Sequence, residues 1–195
     1  MTMRFAALML LATPLLLCNP ATQASDVDQK AAADPAPAAK PKAEPAPASK
    51  GGTLPSAMVM TPDDKAVNTS SFNNDDRPMI LVVWATSCSP CKRQLNTIHE
   101  AYEDWVDETG VKLIAVSMDD RRNTHKVMPY VSTKGWNYEV YLDPNQDLAR
   151  GLNVTNPPHT LVLDGNNKIV WQNSGYVPGD EDELFKVVKS VAASP

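Results

Sequence analysis

The sequence contains few of the residues from which metal and nucleic-acid sites are built. It has three cysteines and three histidines in 195 residues, and its 18 Lys and Arg are outnumbered by 23 Asp and Glu. Structural zinc sites usually need four Cys or His ligands, typically two Cys-x-x-Cys pairs, and this chain has one such pair. A mildly acidic chain without basic runs is a poor binder of nucleic acid. A nucleotide-binding motif is also missing, so neither a metal nor an organic cofactor is expected.

A long apolar run is absent as well, although a short one begins the chain. The stretch "FAALMLLATPLLLC", residues 5–18, has 14 residues and includes a proline, whereas a membrane span needs about 20 apolar residues. Arg4 before it and the small residues "TQA" after it predict a signal peptide over residues 1–24. A lipoprotein signal ending at Cys18 is the alternative, although Leu17 is large for the position before a lipidated cysteine. Either signal predicts a periplasmic or other extracytoplasmic protein.

Residues 25–52 form an Ala/Pro/Lys-rich segment with almost no large apolar side chains. Such a segment cannot bury enough surface to offset the entropy lost on ordering, which predicts a disordered linker. The Ala-Pro repeats favour a semi-extended spacer. If residues 1–24 or Cys18 stay in the membrane, this linker is a tether for a folded domain over residues 53–195.

The domain has the pattern of an α/β protein. The runs "MILVVW" (79–84) and "KLIAVS" (112–117) are typical of strands buried on both faces. Between them, apolar residues recur at helical spacing as far as Gly110, which predicts a βαβ unit with a parallel sheet. Further strands are predicted at 138–143, 159–164 and 168–173, helices at 123–135 (shortened or bent by Pro129), 145–152 and 180–191, and a hairpin at 56–67.

Two cysteines occupy the point where the first buried strand gives way to a helix. Unpaired N–H groups and the helix dipole at that point stabilise a thiolate on Cys88, and a thiolate is the species that attacks disulfides. Cys91 lies one turn along the same face, and Pro90 suits the first turn of a helix. The pattern predicts that Cys88 attacks a protein disulfide and that Cys91 resolves the mixed disulfide.

Other uses of the pair stay open at this point. A structural disulfide across two residues closes a very small loop and constrains little chain entropy. A copper- or haem-handling binding module and a thiol peroxidase are further alternatives. A disulfide-forming oxidant is the nearest one, because redox direction depends on how well the thiolate is stabilised and the intervening Ser-Pro does not set it.

The stretch "VVWATSCSPCKRQL" resembles the thioredoxin superfamily and, within it, the TlpA/ResA-like extracytoplasmic thiol–disulfide oxidoreductases. Their motif Trp-Ala-x-x-Cys-x-Pro-Cys is matched by Trp84, Ala85, Cys88, Pro90 and Cys91. The stretch "VTNPPHTLVLDGNNKIV" is similar to the family's cis-proline loop and the hairpin that follows it.

This resemblance implies a thioredoxin-like fold, a central mixed sheet flanked by helices, with an αβ insertion supplied by residues 119–143. It implies that Pro158 follows a cis peptide bond and that Trp84 packs under the active site. His159, next to that proline, lies either beside the cysteines or as an exposed loop histidine. The implied activity is reduction of disulfides in exported proteins, as in cytochrome c maturation or thiol repair. Electrons would come from a membrane donor, and a monomer is expected.

The chain departs from the family pattern at several positions, among them Ser87, which replaces a common aromatic residue beside the first cysteine. Val82 stands where many thioredoxins have a buried acid, and Gln94 stands where family members often have Glu. Both changes remove a general base for the buried thiol, and Asp143 or Glu139 are candidate substitutes. Asn96 replaces a common kink proline, which predicts a straighter active-site helix.

Overall fold

The computed structural model describes residues 52–194, so the predicted leader (1–24) and all but the last residue of the predicted linker (25–52) lie outside the described residues. The strands are β1 (Met58–Met60), β2 (Ala66–Asn68), β3 (Met79–Trp84), β4 (Lys112–Ser117), β5 (Glu139–Leu142), β6 (His159–Leu163) and β7 (Ile169–Ser174). The α-helices are α1 (Ser89–Thr109), α2 (Val127–Lys134), α3 (Asp147–Gly151) and α4 (Asp180–Ala192), and short 3-10 helices cover Thr69–Ser71 and Thr124–Lys126.

All seven strands join one mixed sheet in the order β2-β1-β5-β4-β3-β6-β7. The three strands β3, β4 and β5 are parallel. On one side β6 and β7 continue the sheet antiparallel, and on the other side β1 and β2 do so. The predicted α/β fold with a central mixed sheet is therefore confirmed, including the hairpin at the start of the domain.

Strand β3 runs through the middle of the sheet and is buried along its whole length. Its alternate side chains enter two different cores, because successive residues of a strand point to opposite faces. Ile80, Val82 and Trp84 belong to the core that α1 and α4 cover. The other core contains the intervening residues of β3 and the apolar side of α3. This burial on both faces fixes the end of β3, and with it the loop that carries the cysteines.

Helix α1 begins directly after that loop and runs unbroken for 21 residues to Gly110, whose left-handed φ of 66° ends it. The straighter helix expected from Asn96 stays a prediction. That residue also has a second role, because its side-chain oxygen accepts a hydrogen bond of 3.1 Å from the indole N–H of Trp136. Asn96 therefore ties α1 to the segment between α2 and β5.

Residues 119–143 contain a helix and a strand, as the resemblance implied. Helix α2 begins at Val127, so Pro129 falls in its first turn, where a missing N–H removes no helical hydrogen bond. Pro129 is thus accommodated by the start of the helix, and the residues just before it form a 3-10 turn. Strand β5 lies between β1 and β4. Among residues 52–194, no helix is long and apolar enough to cross a membrane.

Candidate active site

Cys88 and Cys91 form a disulfide at the start of α1, with their Cα atoms 5.3 Å apart. Cys88 caps the helix, and its Sγ accepts a hydrogen bond of 3.2 Å from the backbone N–H of Cys91. Pro90 lies in the first turn, as predicted. When the pair is reduced, a negative charge on Cys88 would meet this N–H and the positive end of the helix dipole, which favours the thiolate.

The two sulfurs differ in their access to solvent. Cys88 is partly exposed, whereas the exposed fraction of Cys91 is 0%. A protein disulfide can therefore reach Cys88 and cannot reach Cys91 directly. This asymmetry suits an attacking thiol followed by a resolving thiol.

The loop before β6 lies against the exposed sulfur. The peptide bond between Pro157 and Pro158 is cis, as predicted from the sequence. The carbonyl oxygen of Pro157 lies 3.5 Å from Cys88 Sγ, and that of Pro158 accepts the N–H of Gly175 at 2.8 Å. Neither proline has an N–H. At the sulfur, this loop thus offers the Pro157 carbonyl as an acceptor and no backbone donor.

The two positions that lack the family's acids meet at a single polar residue. Val82 pairs with Thr160 in the register of β3 and β6. Gln94 donates from its amide to the Thr160 hydroxyl at 3.0 Å, and that hydroxyl lies 3.3 Å from the Gln94 carbonyl oxygen. Both Gln94 and Thr160 are buried. A neutral amide–hydroxyl pair therefore occupies the place where the family resemblance implied a carboxyl group.

The two substitute acids named from the sequence have other structural partners. Asp143 is buried at the start of α3, where its carboxylate accepts the N–H groups of Asp147 and Ala149 at 2.8 and 3.0 Å. Burial raises the pKa of Asp143. Glu139 pairs with Lys112 at 3.2 Å and accepts the hydroxyl of Tyr141. These contacts assign Asp143 to the helix start and Glu139 to the surface of the sheet, so neither has a contact with the cysteine pair.

Asp119 is a site residue that the sequence did not single out. Its buried carboxylate accepts the backbone N–H and the hydroxyl of Thr86, both at 2.8 Å, and the hydroxyl of Ser117 at 2.7 Å. Thr86 lies two residues before Cys88. Asp119 therefore anchors the loop that presents the cysteine to the end of β4.

Trp84 packs beneath the motif, as the resemblance implied. Its side chain is fully buried, and its ring centroid lies 5.9 Å from that of Tyr130 and 5.2 Å from that of Trp136. Edge-to-face and tilted contacts of this kind stabilise aromatic clusters beyond their burial. The cluster joins the end of β3 to α2 and thus fixes the insertion beside the active site.

His159 is not an exposed loop residue, so that alternative from the sequence is wrong. It is buried at the start of β6, paired with Val83 on one side and Ser174 on the other. Its Nδ1 lies 2.8 Å from the Ser174 hydroxyl. Burial lowers the pKa of His159, and a hydrogen bond with Gln172 partly opposes this effect. Its proposed role in tuning the cysteines stays a prediction.

Metal-ligating side chains do not cluster in the part of the chain that the structure describes, where no group of three His, Cys, Asp or Glu could hold an ion.

Most of the folded domain matches a known protein family. A model of the AhpC/TSA family matches residues 50–172. The chain belongs to the AhpC/TSA family.

Individual relatives place this AhpC/TSA-family chain among thioredoxin-like proteins. The solution structure of a thioredoxin-like protein from Porphyromonas gingivalis is 45% identical, covers 71% of this chain and 91% of its own, and has a TM-score of 0.65. The thiol-disulfide oxidoreductase ResA of Bacillus subtilis is 23% identical over 63% of this chain. The thiol:disulfide interchange protein DsbE of Tatumella citrea is 31% identical over 51% of it.

The matches with these last two proteins span 65% and 50% of their own lengths. The predicted membership of the thioredoxin superfamily, with ResA-type relatives, is confirmed. These two relatives are named for exchange between thiols and disulfides.

Proposed function

We propose that this chain is an exported thiol–disulfide oxidoreductase that reduces disulfides in extracytoplasmic proteins. The observation that carries the proposal is the unequal exposure of the two sulfurs, with Cys88 open at the start of α1 and Cys91 enclosed behind it. Relatives named ResA and DsbE support the same chemistry.

The proposed reaction begins with both cysteines reduced. The Cys88 thiolate attacks one sulfur of the substrate disulfide, and the other substrate sulfur leaves as a thiolate that takes a proton from water. Cys91 then loses its proton and attacks Cys88 Sγ, which releases the second substrate thiolate. Two electrons have passed to the substrate, and the enzyme holds the Cys88–Cys91 disulfide. Gln94 and Thr160 cannot act as a base at neutral pH, so water reaching Cys91 from the side of Cys88 would accept its proton.

Regeneration requires a dithiol reductant, and we propose a membrane protein as its source. Residues 1–24 and the linker over 25–52 support this arrangement, since a leader retained in the membrane, or a lipid on Cys18, would hold the domain near such a donor. Protein dithiols and disulfides are the proposed partners, including those of cytochrome c maturation and thiol repair, and the domain is proposed to act as a monomer.

The reduction potential of the Cys88–Cys91 pair tests the direction of transfer. The protein would be equilibrated with glutathione and dithiothreitol buffers and the free thiols counted by alkylation, with the double variant Cys88→Ser/Cys91→Ser as the control for Cys18. A value near −270 mV, like that of thioredoxin, supports a reductase. A value near −120 mV, like that of a strong oxidant, would show instead that the protein forms disulfides.

Export has a separate test. The mature N-terminus would be determined by mass spectrometry on protein recovered from the cell envelope of a Gram-negative host. A terminus after Ala24 supports cleavage of a signal peptide, and a lipid-modified Cys18 supports the anchored form. An intact Met1 on protein found in the cytoplasm would contradict export.

A further inference from the structure

A cleft with a volume of about 320 Å³ opens beside the active-site loop. Ser87 and Lys92 line it on the side of the cysteine motif. Asn123, Lys126 and Tyr130 line it on the side of the insertion. Ser87 is the residue directly before Cys88, so the cleft begins where a substrate segment bound to Cys88 would lie.

Two ammonium groups belong to this cleft. Lys92 Nζ lies 4.8 Å from the centre of the Tyr130 ring, and Lys126 Nζ donates to the side-chain oxygen of Asn123 at 2.7 Å. Neither lysine forms an ion pair with any carboxylate of residues 52–194. Both cations are therefore available to a charged partner.

The acid in the wall of the cleft forms no ion pair with either lysine. Asp119 directs its carboxylate to Thr86 and Ser117, from which it accepts three hydrogen bonds. The chain as a whole carries a formal charge of −5, whereas the two lysines and one acid that line the cleft give it a net positive formal charge. The Tyr130 ring adds an apolar surface to the cleft next to Lys92.

We propose that this cleft binds the part of a protein substrate next to its reacting cysteine, and that it selects substrates with Asp or Glu there. The inference rests on the proposed function, because the cleft is reached from Cys88. An extended chain advances about 3.3 Å per residue. A carboxylate one to three residues from the substrate cysteine would therefore fall within the cleft while the cysteine is bonded to Cys88.

The test uses three peptides that differ only in the two residues after a single cysteine, which are Glu, Lys or Ser. Each peptide is supplied as its disulfide with 2-mercaptoethanol, and the reduced full-length protein is added. Release of the free peptide thiol is followed by chromatography, and the double variant Cys88→Ser/Cys91→Ser measures the background from Cys18. We expect the Glu peptide to be reduced about fivefold faster than the Lys peptide, in line with exposed charge pairs, with the ratio approaching one at high salt.

Reversing the charge of Lys126 tests whether the cleft causes the preference for the Glu peptide. Lys126→Glu should abolish or invert the ratio between the Glu and Lys peptides. Lys134→Glu is the matched control, since it makes the same charge change at an exposed position of α2 that does not line the cleft, and its ratio should equal that of the parent.

The outcomes separate the two proposals. If even the Ser peptide is not reduced, the proposed function fails and the cleft proposal fails with it. Equal rates for the Glu and Lys peptides, with the Ser peptide reduced, would overturn the cleft proposal alone. A preference that survives in Lys126→Glu would also overturn it, because the selectivity would then arise elsewhere on the protein.

Discussion

The buried amide of Gln94 allows a quantitative prediction, because Gln94→Glu introduces the acid that the family resemblance led us to expect at this position. Gln94 is 3% exposed and has Thr160 as its polar partner. A protonated Glu could keep both hydrogen bonds, since it still has one donor and one acceptor. An ionised Glu could only accept, and it would hold a negative charge inside the core without a cation.

The size of the stability loss in Gln94→Glu follows from the burial of the new carboxyl group. A fully buried carboxyl can have its pKa raised by about 3–5 units, and each unit corresponds to about 1.4 kcal/mol. The Thr160 hydroxyl would offset part of this effect by donating to the carboxylate. We therefore expect Gln94→Glu to lower the free energy of unfolding by about 3 kcal/mol when the acid is ionised in the unfolded chain.

The sign of the pH dependence is fixed by the direction of the shift. An acid whose pKa is raised on folding costs nothing below its unfolded pKa of about 4.3. The cost then grows as the pH rises toward the folded pKa and stays constant above it. The variant should be close to the parent at about pH 4 and clearly less stable at about pH 8.

Urea unfolding of the oxidised protein at several pH values measures this difference. Subtracting the parent curve removes the contribution of groups that both proteins share. Ser132→Glu is the control, because it adds the same acid at an exposed position of α2 and should leave a difference that hardly varies with pH. A Gln94→Glu penalty that is the same at pH 4 and pH 8 would refute the reasoning, since the carboxyl would then be hydrated in the folded state.

Three further predictions concern single contacts. Burial lowers the pKa of His159, so the folded protein holds the ring neutral and is fully stable above about pH 6.5, and stability is lost as the pH falls below that value. The His159→Gln protein should therefore lose less stability than the parent between about pH 7 and about pH 5, measured by urea unfolding. Asn96→Ala leaves the indole N–H of Trp136 without its acceptor and should cost about 1–3 kcal/mol, and the idea fails if the cost is as large in a Trp136→Phe background. Pro157→Ala adds a backbone N–H to the loop whose carbonyl oxygen lies at Cys88 Sγ. An extended peptide can accept a hydrogen bond from this N–H, so its mixed disulfide with Cys88 should be about two- to tenfold more stable than in the parent. An equal change for hydroxyethyl disulfide, which has no peptide backbone, would contradict this.

The candidate site was predicted in part, and the division has a physical basis. The cysteine motif, its place between strand and helix, and the cis bond before Pro158 were all predicted correctly. The acidic residue near the motif was not predicted. Asp143 and Glu139 were named from the sequence as candidate bases, whereas Asp119 contacts the active-site loop in the structure. Acidic residues carry no local pattern that says which of them faces a loop, since that depends on which strands lie side by side.

The sequence by itself determined the elements and the reactive pair. A continuous apolar run is buried wherever it lies in a sheet, and Pro90 and Gly110 mark helix ends through their own backbone geometry. Only the tertiary structure decided what surrounds the pair. Asp119 meets Thr86 across 33 residues of chain, Gln94 meets Thr160 across 66, and the cleft forms because the insertion packs against the motif. Such contacts follow from strand order and helix packing, which bring together residues that no local pattern connects.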